Sequence, residues 1–246
     1  MTMPKKTDSP APFDPLARWD AQPPSKRRSW PWVIGGALVA FALVCGALGA
    51  GSAHGAGPAA TGSGPVTFAV AGDSFSARPG NWTTLPQDAD VRMVKNWSIS
   101  GATSGQVLAA VKPLAVDVLI VEVGNNDVNQ HVPWAVMVAN TQALAKKVGA
   151  QRVLISAVGP SDVTNNGHGI NRRDGNQNAS KYLASMANNH GWMFVDPFTS
   201  LKSWNNAYVP AMVAADHVHP SALGQNNLAK RYDEFVLQAV RGSGAA

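Results

Sequence analysis

Four short clusters in this 246-residue chain carry residue types able to do acyl-transfer chemistry. Gly72-Asp73-Ser74-Phe75-Ser76 offers a hydroxyl nucleophile. The run Asn96 to Thr103 contains Gly101, where a backbone N–H can approach a ligand closely because no Cβ stands in the way. Gly124-Asn125-Asn126-Asp127 offers a side-chain amide that can be aimed at an oxyanion. Asp216-His217-Val218-His219-Pro220 sets a carboxylate three residues before an imidazole, so Asp216 can orient His219 through Nδ1 while Nε2 faces a serine.

Singly, each cluster is ordinary. Gly-Asp-Ser and Gly-Asn-Asn-Asp are turn sequences whose side chains bond local backbone, and a lone loop histidine is a surface residue. Asp216, His217 and His219 also invite a metal reading, but no further carboxylate or cysteine stands at ligand spacing, so neither metal nor cofactor is expected.

The elements that must position these clusters are legible as alternating apolar runs and helical periods. Strands are predicted at Val66 to Ala71, Val91 to Trp97, Val116 to Val123, Arg152 to Val158 and Trp192 to Val195. The third is apolar enough to be buried on both faces of a parallel sheet. Helical faces appear at Met137, Thr141, Leu144 and Val148, then at Ala179, Tyr182, Leu183 and Met186, with Gly149 and Gly191 as stop signals. A last helix starts near Ser221 and carries Leu228, Tyr232, Phe235, Val236 and Ala239 on one face. Five strands alternating with helices predict a three-layer α/β/α sandwich: a five-stranded parallel sheet of flavodoxin-like order 2-1-3-4-5, with ligands at the C-terminal strand ends. Each cluster falls just behind a strand or just before the last helix.

Four clusters in this order, each behind its expected element, resemble the SGNH hydrolase superfamily, the GDSL esterases and lipases, over about residues 66–240. The resemblance implies a serine ester hydrolase with catalytic Ser74, His219 and Asp216, and an oxyanion hole from the N–H groups of Ser74 and Gly101 and the Asn126 side chain. Asp73 and Asp127 would tie their loops by hydrogen bonds. Phe75 stands where the family's name has leucine, a change expected to matter little to the chemistry. The same triad would serve an acyltransferase, in which a sugar hydroxyl replaces water. A non-catalytic glycan-binding or scaffold protein on this fold predicts lost triad members, yet all three are present. A flavin- or phosphate-binding module would need an anion cradle behind the first strand, which is missing.

Charge and hydropathy organise the rest. Residues 1–29 hold six Lys/Arg against three Asp, are rich in Pro, and read as a disordered cytoplasmic tail. Residues 30–51 contain Val33 to Ala50 without a charge, about 27 Å as a helix, behind the Lys26-Arg27-Arg28 cluster. They read as a transmembrane anchor with the catalytic domain outside the cell membrane, or as a signal segment that is cleaved to release it. Residues 52–65 read as a Gly/Ala/Ser/Pro linker, 66–241 as the hydrolase domain and 242–246 as a flexible tail. Cys45 is the sole cysteine, so no disulfide forms within the chain. The domain itself is nearly charge-balanced and lacks a basic stripe, which excludes a nucleic-acid partner. Short strand-to-helix connections predict an open site for a short acyl group on a small-molecule or glycan ester, with an O-acetylated envelope glycan as the expected substrate. Trp82, Trp97, Trp134 and Trp204 are candidates for packing or sugar stacking, and the polar run Ser161 to Asn178, with Arg172 and Arg173, reads as a solvated loop or as a rim of the site. Nothing in the sequence sets an oligomeric state.

Overall fold

The computed structural model describes residues 64–242. The expected tail at 1–29 and membrane or signal segment at 30–51 lie outside these residues, as do almost all of the linker and the C-terminal tail. Among the described residues no helix is long and apolar enough to cross a membrane.

Five parallel strands form one sheet in the order β2-β1-β3-β4-β5. They are β1 (Val66–Gly72), β2 (Val91–Asn96), β3 (Val118–Glu122), β4 (Arg152–Ser156) and β5 (Met193–Val195). All five segments and the strand order match the sequence expectation, with ends shifted by one or two residues. β1 and β3 are apolar and buried along most of their length because both faces of the sheet are covered. On one face Ala69, Ala71, Leu119, Val121, Val153 and Ile155 meet residues of α2 (Ser104–Ala110), α4 (Trp134–Val148) and α5 (Arg172–Asn189). On the other, Phe68, Val70, Val118, Ile120 and Leu154 meet Leu228, Tyr232 and Val236 of α6 (Ala222–Arg241). Two one-turn helices, α1 (Ser74–Ala77) and α3 (Asn125–Asn129), cap the C-terminal ends of β1 and β3.

Helix boundaries follow local chemistry. Ser221 caps α6 by accepting the Gly224 N–H, and Asn171 caps α5 by accepting the Asp174 N–H. Gly149 ends α4 in the left-handed region that a Cβ disfavours. One expectation is corrected: residues 161–178 are not all loop, because α5 begins at Arg172. Its polar first turns hide the helix from a hydropathy reading, and tertiary bonds supply what apolar periodicity does not. Asn176 is fully buried there, donating to Asn125 Oδ1 at 3.0 Å and to the Gly159 carbonyl at 2.8 Å.

Candidate active site

The turn that carries Ser74 grows out of β1. Asp73 caps α1, its carboxylate accepting the Phe75 N–H at 3.1 Å, and its own N–H donates to the Glu122 carbonyl at 3.1 Å. Ser74 is thereby the first residue of the turn, where a helix leaves its N–H groups without intrahelical partners. It is 6% exposed.

The loop that carries Asp216 and His219 approaches from before α6. His219 Nε2 lies 2.8 Å from Ser74 Oγ, and Nδ1 lies 2.8 Å from Asp216 Oδ2. The loop folds on itself: Asp216 Oδ1 accepts the backbone N–H groups of Val218 and His219, and His217 adopts a left-handed φ of 59° to let the chain turn. Tyr208 ties it down by donating to the Val218 carbonyl at 2.9 Å. Ser74, His219 and Asp216, far apart in sequence, thus form one continuous hydrogen-bonded line.

The electrostatics suit a neutral base. Burial lowers the His219 pKa most, Asp216 opposes this by bonding and charge, and Arg78 and Arg172 lower it further, so the net value falls below the ordinary histidine range. Burial pushes Asp216 up, but hydrogen bonds from the His219 N–H, Arg78, the His219 ring and the Val218 N–H outweigh it and hold the carboxylate well below its usual range. Arg78 Nη1 bonds Asp216 Oδ2 at 2.6 Å, at the exposed rim. It also touches His219 Nδ1, which has no lone pair to offer while it carries the proton facing Asp216.

The other expected residues flank this line. Gly101 has φ 78°, a conformation that favours glycine, and its carbonyl accepts from Gln130 Nε2 at 3.2 Å. Asn126, the second residue of α3, gives one amide hydrogen to the Ala102 carbonyl at 3.0 Å, leaving its second for another acceptor. Asp127 locks α3 to the start of α2, accepting the Ser104 hydroxyl at 2.6 Å and the Ser104 N–H at 2.9 Å. Asp73 and Asp127 therefore do the loop-tying expected of them. Burial pushes Asp73 up to about 7, with the charge of Asp127 adding to it, and burial likewise raises Asp127. His217 instead faces Asp162 at 3.7 Å, and no cluster of metal-ligating side chains occurs among the described residues.

Four contributions escape the sequence reading. Arg78 is invisible because it follows the turn in a featureless stretch. Arg172, expected in a solvated loop or at the rim of the site, is partly buried in α5, and its charge acts on Asp73 and Asp216. Phe75 does more than a generic apolar residue: its ring packs 5.2 Å from the His219 ring and edge-on to Phe198. A Cβ at Gly159 would stand 2.4 Å from that ring, so Gly159 makes room for it. Glu122 is the fourth, and it had a readable signal: a lone carboxylate in the otherwise apolar run Val118 to Val123. Of the tryptophans, Trp82 is buried on Tyr232, Trp134 stacks on Tyr182, Trp97 packs against the core, and Trp204 stands 92% exposed.

Comparison with known proteins follows the same lines. A family described as the GDSL-like Lipase/Acylhydrolase family matches residues 70–226. TesA superposes with a TM-score of 0.54 at 26% identity, over 71% of this chain and 99% of its own. The psychrotrophic esterase EstA from a Pseudoalteromonas species gives a TM-score of 0.56 at 18% identity, over 72% and 99%. The acetylxylan esterase Axe2 from Geobacillus stearothermophilus gives 0.54 at 19% identity, over 70% and 95%. The last two likenesses speak for the fold alone. No curated protein matches.

Proposed function

Because the chain belongs to the GDSL-like lipase/acylhydrolase family, within the SGNH hydrolase superfamily, we propose that Ser74, His219 and Asp216 are the catalytic triad with which it cleaves esters. It is a carboxylic ester hydrolase. The observation that carries the triad is the unbroken line Ser74 Oγ, His219 Nε2, His219 Nδ1, Asp216 Oδ2, with 2.8 Å at each of its two bonds.

Neutral His219 takes the Ser74 proton as Oγ bonds to the ester carbonyl carbon. Asp216 holds the ring in the tautomer with Nδ1 protonated and stabilises the imidazolium. The tetrahedral oxyanion accepts the N–H groups of Ser74 and Gly101 and the free Asn126 amide hydrogen, each donor lowering the barrier by up to about 3–4 kcal/mol. Collapse breaks the bond to the alkoxide, which leaves with the proton from Nε2. Water then enters, gives a proton to Nε2 and its oxygen to the acyl carbon, and the carboxylic acid departs as Ser74 recovers its proton.

The substrate reading is a short acyl ester, with an O-acetyl group on an envelope glycan as its specific form. Three things support it: the apolar segment at 30–51 of the sequence, which we read as a membrane anchor or cleaved signal that would carry the domain outside; the exposed Trp204; and a shared fold with an acetylxylan esterase. A p-nitrophenyl ester chain-length series, followed by acetate release from purified wall polysaccharide, tests both levels with Ser74→Ala as control. Ser74-dependent cleavage that is fastest on acetate and extends to the polysaccharide is expected. Fastest turnover of long acyl chains, or no acetate from any wall glycan, overturns the substrate reading.

A further inference from the structure

One buried carboxylic acid has no part in the triad. Glu122, the last residue of β3, is 4% exposed, and no lysine, arginine or histidine pairs with it among the described residues. Its neighbours are polar but uncharged: Ser76 Oγ meets Oε2, and Tyr232 Oη lies 3.0 Å from Oε1. Ser76 also accepts the Trp82 indole N–H at 3.0 Å, Tyr232 meets Ser156 Oγ at 2.9 Å, and Ser156 Oγ donates to the Ala157 carbonyl at 2.9 Å. The Trp82 and Tyr232 rings stack at 4.1 Å over this chain of bonds, and Trp82, Tyr232, Ser76 and Ser156 are all buried.

The direction of the bonds along the chain depends on whether Glu122 carries a proton. Ser156 Oγ lies 2.9 Å from both the Ala157 carbonyl and Tyr232 Oη, and either hydroxyl can be the donor in the second bond. Tyr232 donates to Glu122 Oε1 where Glu122 is ionised, and where Glu122 is the neutral acid the bond reverses, Glu122 donating to Tyr232 and Tyr232 to Ser156. Every donor in the sequence Trp82, Ser76, Glu122, Tyr232, Ser156 is then used once. Burial with no cation in contact favours the same form, because an unpaired buried carboxylate is costly. Burial first, and then the charge of Asp73, raise the Glu122 pKa well above the carboxylate range.

The location gives this acid its consequence. Glu122 pairs with Gly72 across β1 and β3, its carbonyl accepts the Asp73 N–H, and its side chain accepts the Ser76 hydroxyl. Residues 73 and 76 are thus both fastened to Glu122, and Ser74 lies between them. The fit is tight, since a Cβ at Gly72 would come within 3.2 Å of both the Glu122 carbonyl and Ser76 Oγ.

We propose that Glu122, acting as a neutral acid through Ser76, is the positioning residue that fixes the Ser74 turn in its attack geometry. This rests on Ser74 being the nucleophile, so Ser74→Ala is measured alongside. Glutamine offers one acceptor to Ser76 and one donor to Tyr232, as the neutral acid does, whereas leucine and Ser76→Ala cut the clamp.

The experiment measures kcat, KM and the pH profile on p-nitrophenyl acetate for the full chain and for Glu122→Gln, Glu122→Leu and Ser76→Ala, with thermal unfolding of each. Glu122→Gln keeps kcat within about threefold and leaves the acidic limb in place. Glu122→Leu and Ser76→Ala each lower kcat, up to about 10²-fold, with KM little changed, since a misplaced nucleophile slows chemistry more than binding. The double variant Glu122→Leu with Ser76→Ala is no worse than the poorer single one, because both cut the same clamp. If Glu122→Leu does not fold, Ser76→Ala carries the comparison. The proposal is overturned if folded Ser76→Ala or Glu122→Leu keeps its kcat, if Glu122→Gln falls as far as Glu122→Leu, or if Glu122→Gln shifts the acidic limb. Wild-type cleavage that survives Ser74→Ala refutes the triad instead.

Discussion

The two halves of the site are built in opposite ways. The acid-base loop is local and exposed: Asp216 bonds two N–H groups and the ring of residues within three positions of itself, and its side chain is 39% exposed. The nucleophile turn is non-local and buried, fastened to Glu122 of β3, to Asn96 of β2 through the Ser76 carbonyl, and to Phe198 through Phe75. A loop that carries its own bonds can lose a catalytic side chain without loss of fold. A turn held by distant elements couples chemistry to stability.

Substitutions can break or sharpen that contrast. His219→Ala should lower kcat/KM by about 10⁴-fold or more, because triad members act as a unit. Its unfolding midpoint should stay close to that of the wild type, and a large drop would mean the loop is not self-contained.

Asp73 gives the opposite signature. Its carboxyl titrates at about 7 when folded, against an ordinary value of 3.8, so between these pH values the folded state binds the proton more tightly than the unfolded chain does. Stability from this group is therefore full below about pH 4 and declines as pH rises to about 7, by on the order of 3 kcal/mol. Urea unfolding across that range should show the decline in the wild type and a flatter profile in Asp73→Asn.

Gly159→Ala should destabilise by about 1–3 kcal/mol through overpacking against Phe75, and should slow catalysis as well because the same ring supports His219. Equal activity with reduced stability would uncouple the two.

The smallest effect belongs to the rim. Arg78 lowers the His219 pKa, so Arg78→Gln should move the acidic limb of kcat/KM to higher pH, with little change in unfolding. The shift should be modest because Arg78 is largely solvent-screened.

The contrast also explains what could be read from the sequence. Strand order, the Ser221 start of α6 and the Asp216-to-His219 spacing are local or periodic signals, and the structure carries them with small boundary shifts. Ser74, Gly101 and Asn126 were legible because each follows a strand whose end lies at the same sheet edge. Arg78, Gly159 and the Ser76–Glu122 clamp were not, since their meaning lies in contacts across 46 to 138 residues of chain or in room left for a ring. The start of α5 was missed for a related reason. Its first turns bury Asn176 by hydrogen bonds, and no apolar period marks it.

The most direct test of the central claim is to react the folded protein with a fluorophosphonate and locate the adduct by mass spectrometry. A single adduct on Ser74, one per chain, is expected, and its formation should slow sharply in His219→Ala. No adduct, or one on Ser76 or another serine with Ser74 unmodified, would contradict it.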